Sequence, residues 1–467
     1  MIKVNKLNIS GKLVFPIIEG GKGINISNGL TAGSFAKAGA VGTISGTNPD
    51  FYDEKGNLVR YIYNKALSRK EKFEQLVKYS IMGGIAQAKI ANDISGGNGR
   101  VHMNFLWEAG GTRRIINGVL DQVKGLIHGI TCGAGLPYAL SEIAKKYNVY
   151  YYPIISSARA FRVLWKRAYK DVANLLGGVV YEDPWLAGGH NGLSNAEDPK
   201  IMQDPYHRIV ELRKSLSEFK LDHVPIVIAG GVWHLSDWSN YIDNKEVGLV
   251  SFQFGTRPLL TKESPIPNEW KKLLTTLKDG DISLHRFSPT GFYSSAIVND
   301  FLKELQHREI TQMMASRKLD GDFKNEVPSG NGITSFYVKD EDYNRALNYI
   351  ASGHNILLRT PDKTIIFVNK EMANKIKQDQ IDCMGCLSAC RFSGWSDHNE
   401  QNSTGILPDP RSFCIQSTLQ DLGHGGGIEK NLLFSGHHAY KFASDPLYKN
   451  GNIPSISQLI EQILLGK

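Results

Sequence analysis

The sequence predicts an α/β protein built on a parallel (β/α)8 TIM barrel, with an inserted α+β region and a C-terminal cysteine-rich segment. Three observations lead there. Short apolar runs alternate with helical patterns through the first part of the chain, and eight such runs occur before Lys262. Polar residues and glycines follow nearly every run, as they do at the C-terminal ends of barrel strands, where ligands bind. Beyond Lys262 the alternation stops and a different mixture of helix and hairpin signals begins. A doubly wound open sheet is the alternative, and the loops after nearly every strand favour the barrel.

The eight runs are Val14 to Ile18, Ala40 to Ile44, Val101 to Phe105, Leu126 to Thr131, Val149 to Ile155, Gly178 to Tyr181, Val224 to Ala229 and Gly248 to Phe254. Helical patterns between them include Lys70 to Asn92, Arg113 to Lys124, Pro137 to Lys146, Ala158 to Leu176 and Tyr206 to Phe219. The spacing therefore predicts a barrel over 1–264. The region 265–380 is expected to be α+β, with helices over Ser295 to Leu305, Glu309 to Ser316 and Glu341 to Ser352. A hairpin is expected from Asn355 to Arg359 and Thr364 to Val368. The remainder, 381–467, holds the cysteine segment and a closing helix over Ser455 to Leu465.

Composition narrows the class. The chain has 467 residues, 41% hydrophobic and 21% charged, which suits a globular protein with a sizeable core. Its net charge of +8 is scattered, with no basic stripe interleaved with aromatics, so no nucleic acid partner is expected. No apolar stretch has the length of a membrane span, and the N-terminus lacks an apolar signal core, so a cytoplasmic protein without a membrane partner is expected.

The chemistry concentrates in glycine-rich loops. After the sixth strand, Leu186-Ala187-Gly188-Gly189-His190-Asn191-Gly192 sets one histidine among three glycines, where backbone can approach a ligand and an imidazole can exchange a proton. Gly230 and Gly231 follow the seventh strand, and Gly255 and Thr256 the eighth. In a barrel these two loops commonly form a phosphate site from backbone N–H groups. After the first strand, Glu19-Gly20-Gly21-Lys22-Gly23 is either a flexible turn or a platform under a flat ring. Asn104, ending the third strand, offers an amide that donates and accepts, or simply closes the strand.

These stretches resemble the nitronate monooxygenase (2-nitropropane dioxygenase) family of FMN-dependent barrels, which also includes FMN-dependent enoyl-ACP reductases. The matching segments are Pro16 to Gly21, Gly39 to Ile44, Thr131 to Pro137, Ala187 to Gly192, Pro225 to Gly231, and Val250 to Arg257 with Glu263-Ser264 behind it. The resemblance implies FMN at the barrel mouth. Its phosphate would lie near Gly230, Gly231, Gly255 and Thr256, with Gln253 and Phe254 in the same loop. Gly21, Lys22, Gly23 and Asn104 would lie along the ring, with Gly188 and Gly189 close by. His190 would be the catalytic acid or base. The implied activity is oxidation of alkyl nitronates with O2. An NAD(P)H-dependent flavin reductase acting on an enoyl thioester or quinone is the alternative, and a non-catalytic barrel that binds a phosphate ligand is a third. A small-molecule substrate with O2 or NAD(P)H is the implied partner, and self-association into a homo-oligomer is left open.

The sequence departs from the family in places. Tyr181-Glu182-Asp183-Pro184-Trp185 is a longer link than usual, which leaves the flavin-edge role open between Glu182 and Asp183. Lys22 stands where an apolar residue is common. Cys383, Cys386 and Cys390, with Cys414 following, have metal-ligand spacing. The segment Cys383 to Cys390 is similar to the [4Fe–4S] segment of 2,4-dienoyl-CoA reductases. An iron–sulfur cluster is therefore expected, with zinc or free thiols as alternatives. His437 and His438 could line the pocket, with a surface or structural role favoured, and Cys132 is expected as a small buried thiol.

Overall fold

Eight parallel strands close into a barrel in chain order. They are β1 (Ile17–Glu19), β2 (Val41–Ser45), β3 (Arg100–Leu106), β4 (Gly129–Gly133), β5 (Tyr150–Ile155), β6 (Val179–Glu182), β7 (Ile226–Ala229) and β8 (Val250–Phe254). Each falls on one of the eight apolar runs. The computed structural model describes residues 4–61, 64–398 and 402–467. Closure comes from β8 against β1, with Phe252 opposite Ile17 and Phe254 opposite Glu19. Buried on both faces, the strands read as near-continuous apolar segments rather than alternating ones.

The barrel interior is packed. Ile18, Val41, Tyr152, Val180 and Val227 meet Ile9 and Val14 of an N-terminal hairpin that plugs the bottom. One polar group lies in this floor. The Ser10 hydroxyl stands 2.9 Å from His102 Nε2 and 2.7 Å from the Tyr152 hydroxyl. Burial pushes His102 down to about 3 and His128 down to about 4, so both are neutral in the fold. The unfolded chain binds these protons near 6.5, so stability falls as pH drops from about 6.5 toward 4. We expect His102 to account for a loss on the order of 3 kcal/mol across its titration. Denaturant midpoints at pH 7 and pH 4 measure the loss, and it should be smaller in His102→Gln.

Local sequence signals place the surrounding helices. Asn28 and Ser68 form capping boxes before α1 (Gly29–Lys37) and α2 (Arg69–Ser95). The next two are α3 (Thr112–Gln122) and α4 (Leu140–Tyr147). Ser157 caps α5 (Ala158–Leu164), and Asp204 with Pro205 at the first helical position starts α6 (Pro205–Glu218). The helix expected to continue to Leu176 instead becomes a π turn over Trp165–Tyr169 and a 3-10 stretch over Lys170–Leu175. Trp165 stacks on Phe219 of the next unit, and the Tyr169 hydroxyl donates to the Pro137 carbonyl. Tertiary packing outweighs the helical pattern there.

After β8 the chain leaves the barrel. It returns with the last helix, Ile456–Leu464, whose Ile456, Leu459, Ile460 and Ile463 join the barrel's core beside α1. The Glu263 carboxylate accepts from the Ile456 N–H and ties this return to the β8 loop. Between them lie the helices α7 (Asn268–Leu274), α8 (Asp300–Ile310), α9 (Asp340–Ala351), α10 (Lys370–Ile381) and α11 (Ile415–Gly423). The same region holds the strands β9 (Ile282–His285), β10 (Ser294–Ile297), β11 (Ile356–Arg359) and β12 (Thr364–Val368). The expected hairpin is β11 with β12, paired antiparallel. The helix expected over Ser295 to Leu305 begins only after the Asn299 cap, because Ser294–Ile297 pairs with β9 instead. The helix expected over Glu309 to Ser316 is absent. The chain leaves α8 at Ile310, and Met313–Met314 pairs with β12. Among the described residues, no helix is long and apolar enough to cross a membrane.

Candidate active site

β10 does more than extend the inserted sheet. Its other edge pairs with Gly189–His190, placing Gly189 opposite Ser295 and His190 opposite Ser294. The inserted region therefore docks directly on the histidine loop at the C-terminal mouth of the barrel. The loops of β1, β3, β6, β7 and β8 surround one open cavity there, of about 1420 Å³ including its mouth.

The β1 loop forms one wall. Glu19 is fully buried, and its carboxylate accepts from the Thr43 N–H and from Lys22 Nζ, the latter at 2.5 Å. Lys22 is thus an enclosed, paired cation in the cavity wall and not a solvent-facing lysine. Gly21 and Gly23 line the cavity beside it. Asn104 packs so closely on Gly21 that a Cβ there would collide with its carboxamide. The Asn104 Nδ2 group donates to Thr131 Oγ1 at 2.9 Å, which fixes the amide orientation.

Gly230, Gly231, Gly255 and Thr256 come together on the far wall, with Gln253 beside them. Gly230 and Gly231 have φ of +88° and +74°, which only glycine adopts without strain. A Cβ on Gly255 would meet nothing within 4 Å, so this backbone borders open space. Phe254 is the exception among the expected cofactor residues: it is buried in the core and does not line the cavity. Successive strand residues face opposite sides, so Gln253 faces the mouth and Phe254 the helices.

The β6 loop places His190 and Glu182 at the cavity. Asp183 caps the loop, its Oδ1 accepting from the N–H groups of Trp185 and Leu186, both at 2.9 Å. Glu182 points instead into the cavity. Gly188 packs against the backbone of Ser435 and Gly436, where a Cβ would stand 2.6 Å from the Ser435 carbonyl carbon. His190 Nε2 lies 2.6 Å from Ser288 Oγ, and its ring stands edge-on to Phe434. Burial pushes the His190 imidazole down to about 4, so it is neutral at physiological pH.

Several lining residues come from far along the chain. Phe434, Ser435 and Gly436 come from the C-terminal segment, and Ser288, which holds His190, from the inserted region; no motif in the sequence marks them. His438 corrects the surface expectation: it lines the cavity, and its Nδ1–H donates to the Gly231 carbonyl at 2.7 Å. His437 lies 3.2 Å from the Ser295 hydroxyl. Cys132 is fully buried in the core, as expected.

The cysteine segment roofs the cavity. Cys386 and Leu387 line it, with Ile415, Gln416 and Leu419 of α11. The expected iron–sulfur or zinc centre on Cys383, Cys386, Cys390 and Cys414 finds no support. All four thiols are free, and the Ser393 hydroxyl donates to Cys383 Sγ at 2.9 Å. Among the described residues, no group of three or more His, Cys, Asp or Glu side chains is placed to hold a metal ion.

The chain was compared with known proteins. A family model described as nitronate monooxygenase matches residues 6–325. No curated protein matches. Among solved structures, FabK from Thermotoga maritima aligns with a TM-score of 0.50 at 13% identity, covering 97% of this chain and 92% of that one. The enoyl reductase domain of MlnA from the macrolactin cluster of Bacillus amyloliquefaciens gives 0.51 at 13% identity, covering 97% and 93%. Nitroalkane oxidase from Streptomyces ansochromogenes gives 0.43 at 16%, covering 62% and 78%. At these identities the structural likeness concerns the fold.

Proposed function

Because the chain belongs to the nitronate monooxygenase family and is a flavin-dependent oxidoreductase, we propose that it oxidises alkyl nitronates with O2 on bound FMN, with His190 as its acid–base residue. One observation carries this reading: His190, a buried cation and the glycine loops of β7 and β8 all border one cavity at the barrel mouth. The residues fit the cofactor. Gly230, Gly231, Gly255 and Thr256 would hold its phosphate, and the open space beside Gly255 leaves room for it. Gly21, Lys22 and Asn104 would border its ring. FMN, when bound, supplies the electron transfer.

The protein's own part is positioning and proton handling. Ser288 holds His190 Nε2, and Thr290 Oγ1 lies 2.9 Å from that serine hydroxyl. Among the described residues Nδ1 has no partner, so it is the atom free for the substrate. A neutral imidazole takes a proton from a nitroalkane carbon, or donates to a nitronate oxygen in its other tautomer. Lys22 is held in the wall by its ion pair with Glu19. Cys386, Leu387 and α11 form the roof over the site.

Because His190 titrates near 4, its base form persists into mildly acidic solution. We expect kcat/KM for a nitroalkane to fall only as pH drops through about 4, rather than through 6.5. A pH–rate profile on nitroethane checks this. The activity itself is tested by incubating purified protein with ethyl nitronate in air. Coupled oxygen uptake and nitrite release are expected. No nitrite, with flavin present, overturns the reading.

A further inference from the structure

A second cavity opens beside the one used by the mechanism above. It measures about 640 Å³ including its opening, and it shares His190 and Ile154 with the first. The glycines given to the cofactor phosphate and the residues given to its ring all line the first cavity, and none of them lines the second. The second is therefore space at His190 outside the cofactor assignment. Leu136 after β4, Ile154 and Ile155 at the end of β5, Ala160 on α5 and Phe292 of the inserted region form its walls. Leu136, Ile154 and Phe292 are only half-buried, so apolar side chains stand uncovered around an open space.

One buried donor interrupts these walls. Asn191 lines the second cavity and not the first. It is 4% exposed, its backbone N–H donates to the Tyr293 carbonyl at 3.0 Å, and its Oδ1 accepts from the Leu193 N–H at 3.3 Å. The bond to Oδ1 sets the amide orientation and leaves Nδ2 as a donor without a partner. Ser156 in the same wall is already committed, its hydroxyl donating to the Gly192 carbonyl at 2.7 Å. Buried donors are normally paired, so this space suits a ligand that has an oxygen acceptor and an apolar body.

Resting on the proposed nitronate activity, we propose that the second cavity is the chain site of the substrate, and that the substrate class is a straight-chain nitroalkane or nitronate of several carbons. Its nitro end lies at His190, Asn191 Nδ2 donates to a nitro oxygen, and its apolar chain runs along Leu136, Ile155 and Phe292. A two-carbon nitronate reaches His190 and leaves these walls bare.

Calorimetric titration of the purified holoprotein with ketones from 2-butanone to 2-octanone tests this. These ketones are neutral, carry one oxygen acceptor and bind without turnover. Affinity should rise about fourfold per added methylene in the wild type. Ala160→Leu fills part of the cavity and Phe292→Ala strips one wall, so each should flatten that slope. Asn191→Ala should weaken every ketone by one common factor, about two- to tenfold, and keep the slope. Affinity that does not rise with chain length, a slope unaltered by both wall variants, or no loss in Asn191→Ala overturns the proposal. The wild-type series decides even where a variant does not fold. A wild type that oxidises no nitronate would overturn the proposed activity, while the ketone series still decides the cavity.

Discussion

His190→Ala should lower kcat/KM for nitroethane by about 10²–10⁴-fold while flavin content stays unchanged. The argument rests on where the ring sits. It touches Ser288 and Phe434 on one side and the open cavity on the other, and it belongs to a two-residue strand held by β10. Backbone pairing, not the imidazole, anchors that strand, so truncation removes the proton-exchanging group without removing the loop. The neighbouring His285 cannot replace it. His285 Nδ1 accepts from the Phe287 N–H, and burial holds the ring down to about 3. Steady-state kinetics together with the flavin-to-protein absorbance ratio measure both halves of the expectation. A variant that loses turnover only because it loses flavin would assign His190 to the cofactor instead.

Gly255→Leu should fold and yet bind FMN weakly. A Cβ at Gly255 meets nothing, and its φ is outside the left-handed region that favours glycine, so the backbone accepts a side chain. The added atoms would occupy the space assigned to the phosphate. Overpacking of that kind costs about 1–3 kcal/mol, or about 10–100-fold in FMN affinity. Gly188→Ala is the contrasting case. Its Cβ would meet backbone at Ser435 and Gly436, so stability itself should fall. Flavin titration of the apoprotein, alongside thermal midpoints, separates the two. Normal FMN affinity in Gly255→Leu would remove the phosphate from this loop.

Much of the barrel was readable because a strand buried on both faces leaves an apolar run, and a loop that binds a ligand leaves glycine. All eight strands lie on such runs, and the cavity-lining glycines lie at their ends. What escaped was whatever depends on distant partners. Ser294–Ile297 reads as the start of a helix, but it finds β9 and the His190 loop and becomes a strand. His438 looks like a surface residue until the chain around Phe434 folds back over Gly231. Glu182 and Asp183 are equivalent on paper. Hydrogen bonding separates them, because Asp183 reaches the N–H groups that start the next turn and Glu182 does not. The cysteine spacing suggested a metal centre, yet among the described residues no group of three or more ligand side chains is placed to hold one, and Cys386 faces the cavity.

The central claim is that this barrel mouth holds a flavin that exchanges electrons with a nitronate. An anaerobic absorbance titration of the purified holoprotein with ethyl nitronate tests it most directly. We expect the oxidised flavin bands to bleach on addition of nitronate and to return when air is admitted, with nitrite in the filtrate. Bands that stay unchanged with nitronate but bleach with NADH or NADPH would contradict the account and assign the site to a reductase.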